Sequence, residues 1–173
     1  VRGEPTITAT GLEGGPVYAL NPELRAGHEL VIDLQPDLDV DTLTTRLADR
    51  RRPKDSVSTW LRRVGLAPVA VAVMRDATDN ALPVEPAEVA TLAKAVPITV
   101  DRLASIDRAI STAGGVATDA VDETGMLVDR PGTWIAGEML AWDAPTGGYL
   151  IQACLSTGRR AGLAAARWAS DRG

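Results

Sequence analysis

The first thirty-four residues alternate short apolar runs with turn residues. Thr6 to Thr10, Val17 to Leu20 and Glu29 to Leu34 each have the length and character of one strand, and "GLEGGP" and "NPELRAG" separate them. Glycine admits the positive φ that reversals need, and proline or asparagine favours the reversal itself. The pattern predicts a small β unit. From Asp37 the period changes: Val40, Leu43 and Leu47, then Val57, Trp60, Leu61 and Val64, recur at three- and four-residue steps. That spacing lines one face of a helix. Asp39 or Asp41 is placed to cap the first helix, Asp55 or Ser56 the second, and Pro86 stands in the first turn of the last. Three or four short helices are expected up to about Ala95. "APVAVAVMRDA" is read as a short buried helix despite its valines, because helical neighbours and the break "TDNALP" enclose it.

Strand character returns in "VPITVDRL", Val96 to Leu103, and again at Ala109 to Thr112, Met126 to Val128 and Thr133 to Ala136, the last launched by Pro131-Gly132. A long helix follows, from about Tyr149 to Ser170. At about 1.5 Å per residue it spans a small domain. Its face of Ala153, Thr157, Ala161, Ala164 and Ala165, with Trp168 at the far end, would let it lie close against a sheet, and the Gly158/Gly162 pair carries the same expectation. The predicted fold class is α+β or α/β. Residues 1–105 would form one domain, with a β unit (1–36 and 95–105) carrying a helical insert (37–94), and residues 106–173 a strand-loop-helix segment.

Composition narrows the function classes. With 173 residues and 45% hydrophobic content the chain can bury a real core, and its net charge of −5, with only Lys54 and Lys94 as lysines, gives no electrostatic case for nucleic acid or an anionic membrane. One basic cluster runs from Arg46 through Arg50, Arg51, Arg52 and Lys54 to Arg62 and Arg63. Cations at Arg50 to Arg52 suit the negative end of a helix closing before Pro53. The same arginines are the basis of an alternative, a non-catalytic module that docks a partner. Cys154 is the single cysteine, which excludes an internal disulfide or a cysteine zinc cluster and fits a reducing, cytoplasmic setting. No apolar run is long enough for a membrane span, and Arg159 and Arg160 interrupt the Gly158/Gly162 pair. The chain opens on Val1 with strand-like sequence almost at once, as a segment of a longer protein would. Hydrolase and P-loop motifs are missing. His28, the only histidine, and Cys154 are read as structural, Tyr149 chiefly as packing, so no catalytic acid or base and no metal ligand is assigned.

The chemistry concentrates in "GTWIAGEMLAWDAPTGGYLIQACLSTGRRAG". Gly147 and Gly148 leave the first amides of the long helix bare, where about half a positive charge resides. Glu138, at the end of a strand, can accept hydrogen bonds from sugar hydroxyls. A ligand with a polyol on one side and an electron-accepting group on the other would suit both, which describes a flavin. The same residues also serve as a tight turn and a solvated acid, and spacing alone leaves both readings open.

The stretch "AISTAGGV", with "PGTWIAGEMLAWDAPTGGYLIQACLSTGRRAG" about twenty residues on, resembles the C-terminal signature of the HI0933-like NAD(P)/FAD-dependent oxidoreductases, the aminoacetone oxidase-like FAD-binding proteins. The opening "GEPTITATGLEGGPVYAL" is similar to the family's Gly-Glu, Thr, Gly-x-x-Gly-Pro segment, while residues 37 to 95 match only in helical character and position. The resemblance implies that Gly137 and Glu138 contact the polyol of the flavin nucleotide. It implies too that Thr146, Gly147, Gly148 and Tyr149 place amides by the ring, and that Thr112, Gly114 and Gly115, up to Val116, line the same pocket. Leu150, in the adjoining position where many members carry Asn, completes the cofactor-binding set that the resemblance implies. Members begin with a strand, G-x-G-x-x-G and helix that grip the pyrophosphate; these residues hold none, and "GLEGGP" is no substitute because no helix is expected after it. The resemblance therefore implies an insert domain (1–105) joined to the C-terminal part of a Rossmann-like FAD-binding domain (106–173). The partner would be the N-terminal half of the same protein, with NAD(P)H as electron donor and a small molecule as acceptor. The fragment alone would be inactive and bind FAD weakly or not at all. The helix face that would meet the absent half would be exposed or covered by a second copy, favouring self-association.

Overall fold

The computed structural model describes residues 1–143 and 147–172. In chain order the elements are β1 (Thr6–Thr8), β2 (Gly11–Glu13), α1 (Gly15–Ala19), α2 (Asn21–Arg25), β3 (Leu30–Ile32), α3 (Val40–Arg50), α4 (Val57–Val64), α5 (Pro68–Asp76), α6 (Pro86–Lys94), β4 (Val96–Ile98) and α7 (Gly148–Ser170), with short 3-10 turns at Ile106–Arg108, Thr118–Ala120 and Gly137–Met139. The strands pair as two separate antiparallel ribbons, β1 with β2 and β3 with β4. Spatially the chain divides into two units, Val1–Pro22 with Leu103–Gly173, and Glu23–Arg102. Among the described residues no helix is long and apolar enough to cross a membrane.

The Glu23–Arg102 unit holds the main core. Leu43 and Leu47 of α3, Trp60, Leu61 and Val64 of α4, Ala70, Val71 and Met74 of α5, Val89, Ala90 and Ala93 of α6, with Leu66 and Val96, form one buried cluster. The three-and-four spacing places these residues inward, as the sequence requires. Asp39 caps α3, accepting from the Thr42 amide at 2.7 Å and the Thr42 hydroxyl at 3.0 Å. Those bonds, the amide first, hold its carboxyl below the ordinary value of 3.8. Ser56 caps α4 at Thr59. Gly65 ends α4 in the left-handed region at φ 107°, with Leu66 N donating to Leu61 O at 3.1 Å and the Leu66 side chain buried behind it. This is the Schellman closure, which a residue without Cβ adopts at least cost. Pro68 and Pro86 sit in the first turns of α5 and α6. Part of the arginine cluster is engaged within its own unit: Arg50 Nη1 donates to Arg63 O at 2.9 Å near the end of α4, Arg51 to Val84 O, and Arg63 pairs with Asp55. Lys94 Nζ ties the β3–α3 loop to α6, reaching Asp33 Oδ2 at 2.6 Å and Gln35 O at 2.9 Å. His28 is hydrogen-bonded to Glu23 through Nδ1 at 2.7 Å, a structural arrangement at the surface.

Five strand expectations change. Val17 to Leu20 lies in α1 and its C-cap rather than a strand, because Pro16 pre-sets a first helical turn and the amides of Val17 and Tyr18 both find Gly14 O at 3.0 Å. A helix does therefore follow "GLEGGP", though five residues give it little more than a turn. Val96 to Leu103 shortens to β4, where Pro97 pairs across from Val31 at the edge of a two-stranded ribbon. Ala109 to Thr112 forms no strand, and Met126 to Val128 and Thr133 to Ala136 meet through a single bridge, Met126 to Trp134, with a second bridge joining Leu127 to Val121. Gly125 and Gly132, at φ 88° and 91°, turn the chain too often for a ladder to propagate.

In the Val1–Pro22 and Leu103–Gly173 unit, α7 turns its small face inward as expected: Ala161 is buried and Ala153, Thr157, Ala164, Ala165 and Trp168 half-buried. It packs on irregular chain rather than on a sheet. An added Cβ at Gly125 would lie 2.8 Å from Ile135 O and 3.9 Å from the Ala161 methyl. Trp168 meets Trp134 edge-on, with ring centroids 5.9 Å apart. Asp122 organises the hairpin, its Oδ1 accepting from the Thr124 hydroxyl at 2.7 Å and the Met126 amide at 3.0 Å, which in that order hold its carboxyl below the usual range. The Gly158/Gly162 pair does not mediate close packing, because a Cβ added at either meets nothing within 4 Å. Gly162→Ala is accordingly expected to stabilise the unit by about 1 kcal/mol through helix propensity alone, read as a raised thermal midpoint. A lowered midpoint would place a close neighbour there.

Candidate functional site

The chain reaches Gly137 in extended conformation and turns at φ 65°. Three contacts hold that turn. The Gly137 amide donates to Thr157 Oγ1 at 3.0 Å, while the Thr157 hydroxyl donates to Ala153 O of its own helix at 2.8 Å. Gly137 O accepts from Trp142 Nε1 at 3.3 Å, and a Cβ at 137 would sit 3.2 Å from Cys154 Sγ. Half-buried Cys154 thus packs against the turn as a small core side chain.

The next side chain, Glu138, is directed at a second segment. Its Oε1 accepts from Ser111 Oγ at 3.0 Å and from the Thr112 amide at 3.1 Å. Just beyond, Gly114 and Gly115 take φ 90° and 129°. Val116 then runs parallel to Leu140, its amide donating to Met139 O at 2.8 Å and its carbonyl accepting from Ala141 N at 2.7 Å. The approach is too close for a side chain: a Cβ at Gly115 would fall 2.6 Å from Met139 O. Thr112, Gly115, Gly137 and Glu138 are therefore brought together as one backbone-dense cluster, with Gly114 beside it in open space.

The start of α7 adjoins this cluster through Trp142, whose ring lies 6.4 Å from that of Tyr149. Gly147 serves as N-cap at φ 87°, with no side-chain cap, and its carbonyl accepts from Ile151 N at 3.2 Å. A Cβ added at Gly147 or Gly148 meets nothing within 4 Å among the described residues, so neither position is crowded by them. Tyr149 is 64% exposed, whereas Leu150 is only 7% exposed and belongs to the core, leaving its backbone alone for any ligand. Thr146 lies outside the described residues. Among the described residues no group of three or more His, Cys, Asp or Glu is placed to hold a metal.

Three contributors escape a reading by spacing. Ser111 is signalled only by its position before Thr112, Thr157 only by its place on the small face of α7, and Trp142 by nothing local.

The family model described as the HI0933-like protein Rossmann domain matches residues 7–164. The chain belongs to the HI0933-like family. The match takes in the 111–116 loop, the 137–139 turn and most of α7, and also runs through residues 37–94, where the resemblance rested on helical character and position alone. HI0933-like membership thus extends over both spatial units of the chain. No curated protein matches the chain.

Proposed function

We propose that this chain is part of an FAD-dependent oxidoreductase that passes electrons from NAD(P)H through FAD to a small-molecule acceptor. HI0933-like membership supplies the class. The observation that carries the site is Glu138: one carboxylate oxygen is spent on Ser111 and Thr112, the other has no partner among the described residues, and the turn bearing it adjoins the open start of a 23-residue helix. A carboxylate offers about four acceptor positions, so this one retains capacity for a sugar hydroxyl.

The residues fit the ring and ribityl side of a flavin nucleotide. Glu138 Oε2 would accept from a ribityl hydroxyl, and the bare amides beyond Gly147 would face an electron-rich ring edge. The 112–116 loop would close the site from the other side. FAD, when bound, supplies the two-electron redox chemistry; the chain positions it and shapes its electrostatics. A pyrophosphate grip does not fit these residues, since α1 after "GLEGGP" is five residues long. In this reading the grip comes from an N-terminal half of the same cytoplasmic protein, residues 1–105 form an insert domain and residues 106–173 return to the FAD-binding domain, with Val1–Pro22 grouping spatially with the return. The docking alternative finds less support, because Arg50 and Arg51 are bonded to carbonyls of their own unit.

Flavin titration tests the proposal. This chain alone is expected to bind riboflavin and FAD weakly and alike, and the longer protein to purify yellow. Glu138→Ala should weaken flavin retention about 10- to 100-fold, the scale of a hydrogen bond to a charged group. A colourless longer protein that ignores added FAD would refute the reading.

A further inference from the structure

We propose that Ser111 is a positioning residue for Glu138, fixing one carboxylate oxygen so that the other is presented to a ligand hydroxyl. The inference rests on the flavin reading above. A free glutamate side chain samples many rotamers, and a ligand must pay for ordering it. Here the ordering is done in advance by two donors on one oxygen, the Ser111 hydroxyl at 3.0 Å and the adjacent Thr112 amide at 3.1 Å. An ionised carboxylate only accepts, so the serine proton must point at Glu138. Two donors from consecutive residues define where Oε1 lies. Thr157 fixes the other end, through the Gly137 amide at 3.0 Å, so the side chain is anchored at both its backbone and its tip. Removing the Ser111 hydroxyl would leave Oε1 on the Thr112 amide alone, about which the carboxylate can swing.

The same two bonds could serve only to staple the 111–112 loop, and two substitutions separate the roles. Glu138→Gln keeps a carbonyl oxygen for Ser111 and Thr112 but exchanges the outer acceptor for a donor. Ser111→Ala keeps the outer acceptor but frees it to move. The experiment measures riboflavin binding to the 173-residue chain by ligand-observed NMR, together with hydrogen exchange of the Thr112 amide. Ser111→Ala is expected to weaken binding about five-fold, Ser111→Thr to restore it, and Ser111→Ala to add nothing in a Glu138→Ala background. Glu138→Gln is expected to keep the Thr112 amide protected while losing binding. Wild-type binding by either Ser111→Ala or Glu138→Gln would overturn the inference and leave the flavin reading standing, as would an equal loss from Ser111→Ala with and without Glu138. A wild-type chain that makes no contact with riboflavin would overturn the inference, while the flavin reading stands or falls with the colour of the longer protein.

Discussion

Trp60→Ala is expected to destabilise the Glu23–Arg102 unit by about 3–5 kcal/mol, the cost of deleting a large buried aromatic side chain. Trp60 is 2% exposed within the cluster that joins α3, α4, α5 and α6. Its indole also has a polar role, because Nε1 donates at 2.8 Å to Leu47 O, one of the last carbonyls of α3, which the helix itself leaves unpaired. Arg51 stacks over the ring at 4.8 Å and joins the same helix end to Val84 O. The alanine therefore removes packing, a carbonyl cap and a platform for a cation together. Trp60→Phe should cost less, because it keeps most of the volume. Denaturation followed by far-ultraviolet circular dichroism checks the effect, and an unchanged midpoint for Trp60→Ala would contradict the core described here.

Gly115→Ala is expected to cost about 3 kcal/mol or more, combining a positive-φ penalty of about 1–3 kcal/mol with two disrupted backbone bonds. The backbone takes φ 129°, and the added methyl would lie 2.6 Å from Met139 O and 3.0 Å from Leu140 C. Neither is the tip of a flexible side chain, so the loop has to move. Moving it breaks the bonds from Val116 N to Met139 O and from Ala141 N to Val116 O, and it drags Thr112 away from Glu138. Gly114→Ala is the control: φ is also positive, at 90°, but nothing lies within 4 Å of the new methyl. Hydrogen exchange should show the Val116 and Ala141 amides losing protection in Gly115→Ala and keeping it in Gly114→Ala. Equal behaviour of the two variants would mean that conformation, and not close approach, sets the glycine requirement.

The helical stretch was legible because its signals are local and agree with one another. Apolar spacing, the Asp39 and Ser56 caps, Gly65 and the first-turn prolines all act within about one turn of the residues they govern. The β segments were harder to read for a physical reason: a three-residue run commits to a strand only if a partner lies alongside, and sequence does not show the partner. Thr6 and Leu30 found one, whereas Val17 was claimed by the turn that Pro16 starts. Gly158 and Gly162 mark a helix face able to pack closely, but a pattern of small residues says nothing of what stands opposite. At the site, "GGV" and "AGE" pointed to two pieces of backbone, and the structure brings them side by side. The bond that aims Glu138 spans 27 residues to Ser111, a distance over which local spacing carries no information.

The β3–β4 ribbon also determines how the chain is threaded. Leu30 and Ile98 face each other in register, so the chain enters and leaves the segment between them at points about 5 Å apart, the separation of antiparallel neighbours. A body tethered at two such adjacent points behaves as a cassette: its removal leaves a gap that one or two residues can bridge, and the excised piece keeps its whole apolar cluster. The helical unit can therefore change in size or sequence, or be grafted elsewhere, while the chain around it continues on its course.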